Sequence, residues 1–341
     1  MGKTLGKRIL TGFLVILLAV PCIALSSCGG GGGGSSSGGS SGASVGDLVS
    51  KVGDLASGGK NSIEEDESLP DRDNKPRVLE NSADGTATFG GNGATVDYSN
   101  ASDGYIMAEY EGDNEKIKLQ ITHDGGSTYT YNITPNAGFL SFPLSAGSGG
   151  YSIAVFLNIG GDQYSQAAAD SIQANISDEF APFLRPNRYS NFTNNTGAVV
   201  KGSEVAAGAK SDLKVIENAF VFVTKNVKYD YDKAATVQSG YVPDVDDTLN
   251  TGKGICFDYA ALMVCMLRTQ RIPCQLVVGY AGDVYHAWIS VYVDGVGWVA
   301  NMIQFNADTW TMMDPTFAAG GDTADPNLVG SGDSYNPVYY Y

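Results

Sequence analysis

Positive charge is in short supply. The chain has 21 lysines and arginines against 37 aspartates and glutamates, a formal net charge of −16. That balance excludes the basic footprint of a nucleic-acid binder and disfavours electrostatic binding to anionic membranes. Basic substrates stay compatible with it. Histidine is scarcer, with His123 and His286 the only two. His123 has no second histidine, no cysteine and no ordered set of acids near it, so it is expected to be a turn residue at the surface. No cofactor or metal site is expected. Of the five cysteines, Cys22 and Cys28 belong to the N-terminal apolar run and its end. Cys256, Cys265 and Cys274 do not make a disulfide framework. Tryptophan is absent before Trp288.

The 341 residues allow roughly two domains once a non-globular start is set aside. Lys3, Lys7 and Arg8 precede an apolar run from Ile9 to Leu25, the charged head and hydrophobic centre of a secretory signal over residues 1–27. The run ends Leu25-Ser26-Ser27-Cys28, which resembles the lipobox of bacterial lipoproteins. The resemblance implies acylation of Cys28, attachment to a membrane through that lipid, and a place outside the cytoplasm at the cell surface. An uncleaved anchor would tether the chain on the same side, but Pro21 and the small residues before Cys28 suit processing better. Six glycines and a Ser/Gly tract follow. With the acidic stretch through Glu64, Glu65, Asp66, Glu67, Asp71 and Asp73, they make residues 28–80 an expected flexible linker, disordered to about Asn81.

Residues 81–178 carry short alternating runs separated by Gly, Asn and Asp, the pattern of an all-β sandwich. Ile117 to Ile121 alternates apolar with polar, His123-Asp124-Gly125-Gly126 offers a turn, and Thr128 to Tyr131 resumes, so a hairpin is expected. Tyrosines on strands are more often packed than exposed for binding, and the sandwich reads as a spacer.

Residues 179–341 change character. Ser211 is placed to cap a helix whose apolar positions Ile216, Ala219, Phe220 and Val223 share a face, and a shorter helix is expected near Ser203 to Lys210. Residues 227–251 read as an irregular loop. Its Asp244, Asp246 and Asp247 lack the glycine-centred spacing and closing glutamate of an EF-hand, so a solvated acidic loop is expected rather than a calcium site. Apolar helix formers fill Cys256 to Arg268, after which runs at Gln275–Tyr280, Ala287–Val293 and Trp298–Met302 read as strands. The expected fold class is α+β: a helix packed on an antiparallel sheet. Cys265, nine residues after Cys256, falls on the opposite face and reads as a packed small hydrophobe.

Cys256 stands where a loop runs into that helix, and His286 and Asp314 follow in order. This is the outline of a thiol nucleophile with its base and an orienting acid. A helix N-terminus favours a thiolate, and Lys253 would add to that if it pointed inward. Asp258 projects to another side and is expected to serve the helix dipole. Gly254-Ile255-Cys256-Phe257-Asp258-Tyr259-Ala260, Gly279-Tyr280, His286-Ala287-Trp288 and Trp310 through Met313-Asp314-Pro315-Thr316 together resemble the transglutaminase-like superfamily over about Ser211 to Phe317. The resemblance implies a papain-like core with Cys256 as nucleophile, His286 as general base and then acid, and Asp314 fixing the imidazole tautomer. The tryptophan that eukaryotic-type transglutaminases place upstream as an oxyanion donor is missing. The Cys256 N–H is one candidate donor; Tyr241, Asn250 and Thr251 are candidates for a second. Trp288, Trp298 and Trp310 read as core or cleft wall. The function expected is thiol-based acyl transfer from peptide or side-chain amides of a surface protein, ending on water or on an amine. The rival reading is a non-catalytic surface lipoprotein that binds a ligand through the sandwich or an inactive cleft.

Overall fold

The computed structural model describes residues 65, 68, 70–294, 297–300, 303–306, 309–311 and 335–341. The leader, Cys28, the Gly/Ser tract and Asp314 lie outside the described residues.

The first globular part is built from eight strands: β1 (Thr88–Gly91), β2 (Ala94–Asp97), β3 (Tyr105–Tyr110), β4 (Ile117–His123), β5 (Thr128–Ile133), β6 (Leu140–Pro143), β7 (Gly149–Gly160) and β8 (Gln163–Ala174). They form two four-stranded antiparallel sheets in the orders β1-β2-β3-β6 and β5-β4-β7-β8. Alternation sets the faces: Ile117, Leu119 and Ile121 of β4 are buried, whereas Lys118 and Gln120 between them are half-buried on the other face. His123 departs from the turn position expected for it. It closes β4, its ring lies 4.8 Å from that of Tyr151, and its Nε2 is 3.3 Å from the Ser148 carbonyl.

The second part begins with α1 (Gly197–Ala206) and α2 (Asp212–Asn226). α2 is capped as expected, with Ser211 Oγ accepting from Lys214 N at 3.2 Å and Ile216, Ala219, Phe220 and Val223 buried. α1 lies earlier than the helix expected near Ser203, because its first N–H groups are satisfied from far away. The Asp246 carboxylate accepts from Gly197 N at 3.0 Å and Ala198 N at 2.8 Å. The stretch read as loop holds β9 (Lys228–Tyr229), α3 (Tyr231–Thr236) and α4 (Val245–Thr251), and Asp244 caps α4 by accepting from Asp246 N and Asp247 N. Two of the three acids of the supposedly solvated loop are therefore helix caps. β10 (Lys253–Gly254) leads into α5 (Cys256–Thr269), whose residues from Asp258 onward are all buried.

α5 packs on an antiparallel sheet of order β13-β12-β11-β16, formed by β11 (Cys274–Ala281), β12 (Val284–Val293), β13 (Gly297–Ala300) and β16 (Tyr335–Tyr340). A separate hairpin joins β14 (Ile303–Asn306) to β15 (Thr309–Thr311). β16 contains Pro337, which has no N–H to give to a ladder. It is tolerated at an edge, opposite Gly279 where the register slips. The buried Arg268 of α5 ties this edge down by donating to the carbonyls of Cys274, Arg185 and Tyr341.

The linker expected to be disordered as far as Asn81 is partly structural. Residues 70–81 run as a strap along α1, α2 and the C-terminal end of α5. Arg72 bonds Asp212 at 2.7 Å and the Gln270 carbonyl, Asn74 Nδ2 donates to Ala209 O at 2.7 Å, and Arg77 N donates to Thr269 O at 2.8 Å. Local composition is polar enough for coil, but these partners lie more than a hundred residues away. The two parts of the chain share one hydrophobic core, in which Tyr129, Tyr131, Tyr189 and Tyr341 stack edge and face across the junction.

Candidate active site

The approach to Cys256 is fixed by backbone first. α4 ends at Gly252, and a short parallel ladder pairs Lys253 with Lys228 and Gly254 with Tyr229. Gly254 is required by a close approach: a Cβ there would lie 2.6 Å from the Cβ of Asp258. Ile255 takes the extended cap conformation, and Cys256 is the first residue of α5. Cys256 thus lies at the partly positive end of the helix dipole, while the Asp258 N–H is already taken by the Ile255 carbonyl at 2.9 Å.

Asp258 serves that helix end as expected, and does more. Fully buried, it accepts from Ile255 N at 2.8 Å, from Lys233 Nζ at 2.8 Å and from Tyr241 Oη at 2.5 Å. The neighbouring cation is thus Lys233 of α3, while Lys253 faces solvent. Burial and then the Asp258 hydrogen bond raise the Tyr241 phenol to about 12. Its hydroxyl donates to Asp258, which takes Tyr241 out of the candidates for a second oxyanion donor. Asn250 and Thr251 sit on α4 outside the cleft, with Thr251 Oγ1 donating to Asp247 O at 2.8 Å.

His286 lies on β12 opposite Gly279 of β11, with 7% of its surface exposed. Its ring is nearly parallel to that of Trp288 at 6.2 Å and edge-on to Tyr335 at 6.4 Å. Trp288 is fully buried in the core, whereas Trp298 is half-buried and packs against Phe183 and Tyr292; neither lines the cleft.

Cys256 and His286 line one cavity of about 580 Å³, within the usual range of ligand sites. α5 and the β11–β12 pair supply two walls and the segment from Ala234 to Tyr241 a third. The fourth wall is the β-sandwich, through Lys118, Thr130 and Asn132. A spacer would not be there. Tyr285 lines the same cavity: burial raises its phenol first, and Tyr339, Tyr280 and Cys256 add to that. Cys265 and Cys274 are free and fully buried, and burial raises the Cys274 thiol to about 12 and the Cys265 thiol further. Among the described residues no group of His, Cys, Asp and Glu converges as a metal site.

Residues 201–301 match the model of the transglutaminase-like superfamily. The second half of the chain carries a transglutaminase-like domain. Over 112 residues the chain is 32% identical to the UPF0252 protein MJ1282 of Methanocaldococcus jannaschii, a match covering 29% of this chain and 32% of that one. Over 130 residues it is 26% identical to the mouse kyphoscoliosis peptidase, covering 35% of this chain and 18% of the relative. The chain thus spans about a third or less of these relatives. A crystal structure of a TGase overlaps at a TM-score of 0.30 and 18% identity, over 50% of this chain and 46% of that one. The described part of the transglutaminase-like domain places Cys256 on its central helix and His286 on the facing sheet.

Proposed function

We propose that this chain is an extracytoplasmic thiol enzyme, tethered by a lipid on Cys28, that forms an acyl-enzyme at Cys256 from a peptide or side-chain amide. The observation that carries this reading is the shared cavity: a cysteine at the first turn of a helix and a nearly buried histidine open onto the same space. His286 takes the thiol proton as Cys256 Sγ attacks the amide carbonyl. It then delivers that proton to the departing nitrogen, leaving a thioester. Asp314 holds the imidazole in the tautomer that accepts on the side facing sulfur. The Cys256 N–H, at the start of α5, is the donor proposed to receive the oxyanion.

Water attacking the thioester, with His286 as base, releases a carboxylic acid and makes the protein a peptidase or amidase. An amine attacking instead makes a cross-link. Hydrolysis is the reading favoured here. The lipid tether rests on the Leu25-Ser26-Ser27-Cys28 run behind a charged head and apolar centre.

The test is to compare the surface proteins of source cells carrying the wild type with those carrying Cys256→Ala. New peptide ends, or isopeptide links if an amine is the acceptor, are expected only with the wild type. Identical peptide maps from both would contradict the reading.

A further inference from the structure

The sandwich wall of the cleft carries a cation. Lys118 of β4 and Asn132 of β5 are cross-strand partners, and Lys118 Nζ donates to Asn132 Oδ1 at 2.5 Å. The loop that follows α3 closes directly onto that amide. Gly240 has φ +89°, and any side chain there would run into Asn132 Nδ2. Lys118 is half-buried, and its acceptor is neutral. Among the described residues no carboxylate lies within ion-pair distance of it. Burial, and then the like charge of Lys116, lower its ammonium below the ordinary value.

A partly desolvated ammonium without a counter-ion carries a standing cost that an incoming anion relieves. Its setting is a chain of net charge −16, where most surroundings repel anions. We infer that Lys118, held by Asn132, is an anion subsite of the cleft, and that the acyl donor attacked by Cys256 carries a carboxylate near the scissile amide. The carboxylate is either an acidic side chain or a free chain end. This inference rests on the thiol-enzyme reading and adds the substrate class. It also gives the sandwich a part in recognition.

Three thiol-reactive probes of similar size test it on the folded protein at low salt: N-bromoacetyl-glutamine amide, which is neutral, N-bromoacetyl-glutamate amide, with a side-chain carboxylate, and N-bromoacetyl-glutamine, with a terminal carboxylate. The rate of Cys256 modification is followed by mass spectrometry in the wild type, Lys118→Met and Lys118→Arg. At least one anionic probe is expected to react about two- to fivefold faster than the neutral one, as for a half-exposed ion pair. That advantage disappears in Lys118→Met and persists in Lys118→Arg, and the favoured probe identifies the source of the carboxylate. An anionic probe no faster than the neutral one in the wild type, or an advantage that survives Lys118→Met, overturns the subsite. Failure of the neutral probe to prefer Cys256 over Cys265 and Cys274 strikes the thiol-enzyme reading itself, and the subsite falls with it.

Discussion

Asp258 is the residue on which the cleft's floor and its covering segment meet. It fixes the N-terminus of α5 through Ile255 N, and it holds Lys233 and Tyr241 from the segment that covers the cleft. Asp258→Asn keeps the shape and leaves the Lys233 ammonium, three-quarters buried, without its counter-charge. Such a loss costs roughly 2–4 kcal/mol, measurable by denaturant unfolding near pH 7. The pH dependence has a definite sign. Burial acts to lower the Lys233 ammonium, but the hydrogen bonds to Asp258 and Tyr241 outweigh it and raise it above its ordinary 10.5. Stability from a raised ammonium is complete below the unfolded value and fades as pH climbs through the folded one. The gap between wild type and Asp258→Asn therefore narrows above about pH 10.5. An unchanged stability at pH 7 would remove Asp258 from this role. The helix-end role of Asp258 was legible from its position in the first turn. Lys233 was not, because nothing local to it signals a partner 25 residues along.

At the scale of elements, the readable parts were those whose signal is local. β4 and β5 follow from alternation around a Gly-containing turn, α2 from a serine cap and an apolar stripe, α5 from an unbroken run of helix formers. What escaped depends on distant partners. α1 starts where Asp246 caps it from 48 residues away. β16 contains Pro337 and exists because the edge of β11 is open to it and Arg268 holds its end. The strap at residues 70–81 has the composition of a linker and becomes structure only through Asp212, Ala209 and Gln270. The cleft shares this division. Cys256 and His286 were placed by motif, whereas the sandwich wall with Lys118 required knowing how the two parts dock.

Over the whole molecule, the docking joins both parts into one core and sets the cleft at their junction. The strap arrives at the C-terminal end of α5, about 20 Å along the helix axis from Cys256. The joint core is rich in tyrosine, and alkaline stability reads it directly. Burial raises the phenols of Tyr189 and Tyr241 to about 12 and those of Tyr131, Tyr151, Tyr259 and Tyr341 higher still. Above about pH 10 the unfolded chain releases protons that the folded one keeps, so each such tyrosine removes about 1.4 kcal/mol per pH unit. Stability is expected to fall steeply from about pH 10, with tyrosinate absorbance rising together with loss of circular dichroism. Full tyrosine ionisation in a still-folded protein would contradict that packing.

The joint core matters to the proposed function because it sets a sulfur and an imidazole on one cavity. The most direct measurement is the rate at which a dilute neutral alkylator modifies Cys256 near pH 6, in the wild type and in His286→Ala, with the buried Cys265 and Cys274 as internal references. Modification confined to Cys256 and slowed at least about tenfold by His286→Ala is the predicted result. A Cys256 rate that His286→Ala leaves untouched would contradict it.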